Sequence, residues 1–590
     1  MTIRVTLVPH THWDREWYEP FGVFVERLVT MLDTLLDLAA DGFPHFHLDG
    51  QTAMIDDYLD RRPERARELA DHVREGRLSA GPWVTQMDEF LVSGESHVRN
   101  LRMGLERARE LGADPICGYL PDQFGHIGQM PRILRDHGLS WAMVWRGVPA
   151  KIDRSTFRWR STDGSAEVLC EYMPFGYSNG STLMEARTPG DLGRVLRAEV
   201  ERMRPFMVDD RLALMVGYDH SGPDATLPER LDQVDVPGIE VRLGSIRDHL
   251  EGRALHELPI WQGELRSGAR AHLLPNVVSS RVHQKLERGR VETLLERQAM
   301  PAARGVSGTS EELRRAWTLM LWNGAHDSAC GCSHDQVAAD VDERFAEARR
   351  LAAGIVGRAS VVADAASEFE GLGVPPVQWE NEDRAAVELR ATPAGIEADG
   401  VSFRFLDEPD VGDLYNFCWA IEGQTPTGPE RVDVHGDRFE ATWAGLRVAG
   451  RVWRQGELLR VQGVTRNERK DHRLRLHVGL PRRPETVVAG APFELVHRPL
   501  VGEGGEVEAP SLTWPARHVV IASDVAVFHE GVFEYEVVGR ELAVTLLRAV
   551  GCISRETLPV RPWAAGPATP TPNAQMLGET ALSLAIRATP

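Results

Sequence analysis

Over the first 265 or so residues, short apolar runs alternate with stretches of helical periodicity, and this alternation constrains the fold more than any other feature. The runs Ile3–Val8, Phe46–Leu48, Gly118–Leu120, Trp141–Trp145 and Leu212–Val216 are separated by helical patterns at Val23–Ala40, Met54–Leu59, Glu64–Glu75, Arg99–Leu111, Pro131–His137 and Leu192–Met207. Strands joined through helices run parallel, because a parallel neighbour needs a long crossover and a helix supplies it. Parallel sheets and barrels gather their chemistry at the carboxyl ends of the strands. His12 with Asp14, Asp49, Asp122, Arg146 and Asp219 all fall there. A multidomain chain is expected, opening with a barrel-like parallel α/β region over residues 1–268.

The texture then changes twice. Ser279–Met300, Ser310–Trp322 and a stripe of Val337, Val341, Phe345, Ala348, Ala352, Ile355 and Val362 predict three helices, hence a central three-helix bundle over 269–372. Ser333 and Gln336 fit a capping box ahead of the third. Gly371–Pro376 reads as a linker, since its glycines and prolines break a helix. From 377 to 590, short alternating runs such as Phe439–Trp443, Arg473–Val478 and Phe533–Val538 predict an all-β, sandwich-like region.

At 590 residues the chain is too long for one core. Its net charge of −20 includes no basic run to follow a phosphate backbone, which excludes nucleic acid as the expected partner. The six cysteines lack the spacing of a disulfide framework, and Cys330-Gly-Cys332, the only close pair, reads as small residues ending a helix. No apolar run reaches the roughly 20 residues of a membrane span, and the first residues enter a strand without a leader pattern. The expectation is a cytoplasmic protein without a membrane partner; self-association is left open.

Four stretches carry candidate chemistry. In Pro9–Trp17 an extended backbone places His10, His12 and Asp14 on one face, and two imidazoles with a carboxylate suit zinc; a polar surface turn has the same composition. Leu120–Pro131 holds Asp122 and Phe124, Met215–Pro223 holds Asp219 and His220, and Trp322–Ser328 holds His326 and Asp327. Taken singly, each reads equally well as a turn or a buried histidine.

Together, HTHWDREW at 10–17, GPWVTQMDEFLVSGESHVRNL at 81–101, PDQFGHIGQMPRIL at 121–134, WNGAHDS at 322–328 and DVGDLYNF at 410–417 resemble the α-mannosidases of glycoside hydrolase family 38, in the bacterial branch with mannosylglycerate hydrolase-like enzymes. That resemblance implies one zinc ion, for which cobalt can substitute, on His12, Asp14, Asp122 and His326. It implies a retaining exo-acting mechanism with Asp122 as nucleophile, and two carboxyl groups about 5–5.5 Å apart. Asp219 is the expected acid/base, with His220 and Asp88 as rivals. Trp17 and Phe124 are expected to floor the sugar subsite, Asp327 to accept mannose hydroxyls and Arg146 to hold a carboxylate. His10 is expected to orient the ligands. Family members continue past the point where this sequence stops, so the last β region is expected to be incomplete, with an open edge.

Three other readings stay open. A mannosylglycerate or 6-phosphomannosyl-glycerate hydrolase needs a cationic pocket, for which Arg281 and Lys285 are candidates. A zinc amide hydrolase or deacetylase would use Asp122 as a general base. An inactive carbohydrate-binding relic would do no chemistry.

Overall fold

The computed structural model describes residues 2–304, 308–358, 384–393, 395–419 and 424–588. The expected linker at Gly371–Pro376 and the last residue of the helical stripe, Val362, lie outside them.

Ten strands build the N-terminal region: β1 (Ile3–Thr11), β2 (Phe46–Leu48), β3 (Leu78–Ser79), β4 (Cys117–Leu120), β5 (Trp141–Val144), β6 (Thr156–Arg160), β7 (Glu167–Tyr172), β8 (Arg211–Val216), β9 (Ile239–Leu243) and β10 (Ile260–Gln262). They form two five-stranded sheets, β3-β2-β1-β8 with β9 also on β1, and β10-β6-β7-β5-β4. Strand β1 is the hub, parallel to β8 along Arg4–Pro9, to β9 along Ile3–Leu7 and to β2 at His10 and Thr11. Val8, Tyr119, Met143 and Met215, from strands of both sheets, share one buried cluster. The sheets therefore curve around a common interior, which gives the barrel-like form. One departure is that β6 runs antiparallel to β7.

The helices are set by ordinary local signals. Val25, Leu28, Leu32, Leu35 and Leu36 line the buried face of Phe21–Ala40. Gly94–Leu111 starts where the Ser93 hydroxyl accepts the Ser96 N–H and stops at Gly112, whose φ of 97° suits glycine.

In the helical region Val282–Leu294 continues through a π-helical turn, Leu295–Ala299, into Met300–Ala303. Ser310–Trp322 and Asp335–Arg358 pack with it around Val291, Leu295, Trp317, Met320, Val341 and Phe345. The Ser333–Gln336 capping box does not form. The last helix begins at Asp335, the His334 ring accepts the Gln336 N–H, and the Ser333 hydroxyl has no partner. A separate one-turn helix, His326–Cys330, carries His326 at its first position.

Residues 384–588 form one continuous fifteen-stranded sheet, where two facing sheets were expected. Its pairings are antiparallel throughout, and it folds over a core that includes Phe403, Phe405, Phe439, Leu476, Val544 and Leu584. The Leu389 N–H donates to Gly436 O, drawing the two ends of the sheet together into a nearly closed form. The final strand, Gly578–Ala588, is no open edge: it pairs with Leu458–Asn467 on one side and Val525–Val538 on the other. Val282 and Leu286 join the same core, and Gly289 lies where a Cβ would come within 2.3 Å of Gly531 Cα, so helix and sheet meet backbone to backbone.

Candidate functional site

At the carboxyl end of β1 the chain leaves the sheet after a single bridge between His12 and Asp219. His12 Nδ1 lies 3.2 Å from Asp49 Oδ1, at the end of β2, which makes Nδ1 the protonated nitrogen. Its buried Nε2 is thereby turned into the site. That atom has no hydrogen-bond partner and faces Asp14 Oδ1 at 3.2 Å and Asp122 Oδ2 at 4.0 Å. His326 arrives from the helical region in the same manner. Its Nδ1 faces the Gln86 carbonyl at 3.3 Å, while Nε2 lies 3.4 Å from Asp14 Oδ1, 3.5 Å from Asp122 Oδ2 and 3.5 Å from Asp327 Oδ2. His12, Asp122 and His326 converge as one trio of donor atoms within 4.8 Å, and Asp14, His326 and Asp327 as a second. All five side chains are buried.

The electrostatics follow from that crowding. Burial favours neutral groups, yet Asp327, Asp122 and Asp14 raise His326 to about 10. Against burial, Asp49 and Asp14 push His12 well above its ordinary value. Burial would lift Asp122, but Arg146, His326 and His12 outweigh it and hold it below the usual carboxylate range. Asp327 goes the other way, raised by burial with Cys332 and Asp14 beside it. A buried nest of three carboxylates, into which two imidazoles aim their Nε2 atoms and which stabilises positive charge at that point, fits a divalent metal of the zinc type that would take the place of the imidazole protons.

Arg146, at the end of β5, donates from Nε and Nη2 to Asp122 Oδ1 at 2.7 and 2.6 Å, and from Nη1 to His272 O at 2.8 Å. Asp219, after β8, is half-buried and accepts a 2.7 Å hydrogen bond from the Tyr177 hydroxyl. Burial raises its carboxyl, and the Asp14 and Asp122 charges add to that, although His12 opposes them. A carboxyl pushed up beside one held down is the kind of asymmetry that acid–base chemistry with two carboxylates uses.

Residues 2–264 match the description "Glycosyl hydrolases family 38 N-terminal domain". This chain carries a glycosyl hydrolase family 38 N-terminal domain. A protein of Halalkalibacterium halodurans provisionally named mannosylglycerate hydrolase is 33% identical over 58% of this chain and 40% of its own length. Human Alpha-mannosidase 2C1 is 26% identical over 56% of this chain and 32% of its own. The chain thus spans less than half the length of these curated relatives. An alpha-mannosidase crystal structure from Enterococcus faecalis V583 superposes with a TM-score of 0.83 at 23% identity, covering 100% of this chain and 87% of that one, which establishes likeness of fold.

Within the family 38 domain, the expected zinc residues His12, Asp14 and Asp122 meet His326 in one place, and Asp327 and Arg146 adjoin them. Phe124 sits edge-on to His326 at 5.5 Å, and the Trp17 indole N–H donates to the Tyr415 hydroxyl at 2.9 Å. Both aromatics are almost fully buried, at 3% and 9% exposure, so they back the site rather than offering an open face. Of the rivals for acid/base, Asp88 is tied up in its own turn, whereas His220 adjoins the site with Nε2 3.8 Å from Asp14 Oδ2. Asp88 Oδ1 accepts the Phe90 and Leu91 N–H groups and its Oδ2 the Cys330 thiol, while His220 stacks on Phe24 at 4.3 Å. His10 makes no hydrogen bond to His12 or Asp14, and its ring nitrogens lack partners. The orienting role expected of it falls to Asp49.

Arg281 and Lys285 do not form a cationic pocket. Both are buried, Arg281 on Gly331 O, Ser333 O and Asp335, and Lys285 on Ser280 O and Cys330 O. Cys330 and Cys332 do end a helix, but each thiol also touches a carboxylate, Asp88 and Asp327 respectively. The partners that sequence reasoning missed are Gln86 and Tyr177. Gln86 lies inside the motif at 81–101; Tyr177 follows β7 in a stretch without periodicity and offered no signal.

Proposed function

We propose that the chain is a zinc-dependent, retaining, exo-acting α-mannosidase that hydrolyses terminal α-mannosides through a covalent glycosyl-Asp122 intermediate. The observation that carries this is the approach of His12, Asp14, Asp122 and His326 from three separate parts of the chain, with both imidazole Nε2 atoms turned inward. Those four residues would hold the metal, and zinc there supplies a Lewis-acidic grip on the hydroxyls of the sugar. Asp122 is kept ionised by Arg146, as a nucleophile must be, and attacks the anomeric carbon. Asp219 gives its proton to the departing oxygen and then takes one from the water that releases the sugar. Asp327 accepts hydrogen bonds from the sugar hydroxyls.

A second reading, a mannosylglycerate hydrolase, is favoured by the name of the Halalkalibacterium relative. Against it stands the engagement of Arg281 and Lys285 elsewhere. A cytoplasmic setting accords with six unpaired cysteines and with the lack, among the described residues, of any helix long and apolar enough to cross a membrane. Hydrolysis of an aryl α-mannoside before and after chelation, with zinc or cobalt added back, tests the reading. Activity lost to chelator and restored by metal is the expected result. Turnover of mannosylglycerate alone would select the second reading, and silence on every substrate would overturn both. A fluorinated mannosyl fluoride should label Asp122; labelling of another residue would overturn the nucleophile assignment.

A further inference from the structure

Among the described residues, two exposed aromatic side chains adjoin the candidate site: Tyr218, next to Asp219 in the chain, and Trp563, which comes from the C-terminal sheet region. Trp563 is 56% exposed, yet its backbone is fixed. The Trp563 carbonyl accepts a 2.8 Å bond from Arg561 Nε, and that fully buried arginine is in turn locked on Asn416 Oδ1 and Asp413 Oδ2, each at 2.6 Å. Two residues on, the Ala565 N–H donates to the Ser554 hydroxyl. A tryptophan displayed on a stiff turn gives up apolar burial and keeps little freedom, which is the condition of a preorganised contact surface.

The surroundings place that surface at the rim of the site. The Trp563 ring lies against His272, with centroids 6.3 Å apart and planes at 30°. The His272 carbonyl holds Arg146, and Arg146 holds Asp122. Further along the same turn, Gly566 lies against the Trp17 indole, where an added Cβ would come within 2.6 Å of Cζ2. The turn from the C-terminal sheet therefore spans from the back wall of the site to the arginine that grips the expected nucleophile. With His272 on one side, the exposed area of Trp563 falls on the other.

We propose that Trp563 is a specificity-determining platform that stacks on the sugar ring of the leaving group, so that the preferred substrates are α-mannosides of a second pyranose. This rests on the α-mannosidase reading of the site. The apolar face of a pyranose matches an indole face in size and polarity, whereas glycerate has no ring to stack. The two arginines tied to the platform and to His272 are also occupied, Arg146 by Asp122 and His272, and Arg561 by Asp413 and Asn416. Neither is left for a carboxylate or phosphate on the leaving group.

Calorimetric titration of the full chain with non-hydrolysable sulfur-linked mannobioses and with methyl 1-thio-α-mannoside tests the proposal. At least one positional isomer of the mannobiose should bind about five- to tenfold tighter than the methyl compound, the gain of one stacking contact. Trp563→Ala should shrink that preference to less than twofold, and Trp563→Phe should retain part of it. No preference in the wild type, or a preference that survives in Trp563→Ala, overturns the platform. Because the wild-type comparison stands alone, a poorly folding variant does not shelter the proposal. Preferential binding without hydrolysis of any oxygen-linked mannoside would sustain the platform and overturn the mannosidase reading; hydrolysis without preference would do the reverse.

Discussion

Two buried polar clusters lie on opposite sides of the boundary between helices and C-terminal sheet, and they are built on opposite rules. In the sheet, Glu408 receives Arg473 Nε at 2.7 Å and Arg475; Glu534 receives Arg473 Nη1 at 3.0 Å, Thr545 Oγ1 at 2.7 Å, Asn276 Nδ2 at 2.6 Å and Ser279 Oγ at 3.0 Å. Arg548 spans Asp410 Oδ2 at 2.7 Å and the Asn416 carbonyl at 2.6 Å. Every one of these carboxylates meets donors. At the barrel end, Asp14, Asp122 and Asp327 crowd the inward Nε2 atoms of two histidines, with His12 Nε2 3.2 Å from Asp14 Oδ1 and His326 Nε2 3.4–3.5 Å from all three carboxylates. A satisfied network holds structure together; a cluster that gathers three carboxylates on one buried point is costly unless a positive charge completes it.

The sharpest way to break this contrast is to remove one carboxylate from each cluster. Asp122→Ala is expected to lower kcat/KM on an aryl α-mannoside by about 10⁴-fold or more, equivalent to about 5.5 kcal/mol of barrier, and to lower bound metal measured by mass spectrometry. A variant with more than a tenth of wild-type activity would show that the barrel-end cluster is structural too. Glu408→Ala should do the converse: about 3–5 kcal/mol lost in denaturant unfolding, because Arg473 and Arg475 are left buried without that partner, with zinc content unchanged. Loss of metal in Glu408→Ala would join the two clusters into one.

A smaller effect is expected one step out from the proposed metal residues. Asp49 is fully buried and receives both the His12 imidazole and the Trp13 N–H, at 2.9 Å. Asp49→Asn keeps the shape but weakens the hold on the Nδ1 proton, so zinc affinity in a competitive chelator titration should fall about 10–100-fold. Unchanged affinity would mean that the backbone alone aims His12.

How much of this was legible in the sequence varied with the range of the contact. Asp14, Asp49, Asp122, Arg146 and Asp219 could be placed because each follows an apolar run, and strand-end position is a local property. His326 carries no such mark. It sits in a helical region, and only the resemblance of the WNGAHDS segment brought it to the site. Strand β6, Thr-Phe-Arg-Trp-Arg, was missed because its charged residues interrupt the apolar signal while Phe157 and Trp159 pack inward. The fifteen-stranded sheet was misread as a sandwich for a related reason. Alternation reveals that Phe439–Trp443 or Phe533–Val538 is a strand with one buried face, but pairing is decided between residues far apart, as when Gly578–Ala588 inserts beside Leu458–Asn467.

Between the two clusters lies a third case that tests the rule by pH. Glu292 and Glu296 follow one another along the helix that turns π-helical at Leu295; Arg517 neutralises Glu292 at 2.7 Å, while Glu296 has the Ser93 hydroxyl at 2.5 Å. Burial, reinforced by the Glu292 charge, raises Glu296 from 4.5 to about 7. A carboxyl raised on folding binds its proton more tightly in the native state. Its stabilising contribution is therefore complete below about pH 4.5 and is lost as pH rises through about 7. Glu296→Gln cannot ionise, so the stability difference, wild type minus variant, should decline by about 1–2 kcal/mol over that interval, the size expected after solvent screening of a half-buried group. Paired denaturant titrations at pH 5 and pH 8 would measure it. A difference that stays flat would place Glu296 with the satisfied carboxylates of the sheet, its one serine contact being enough to hold the charge.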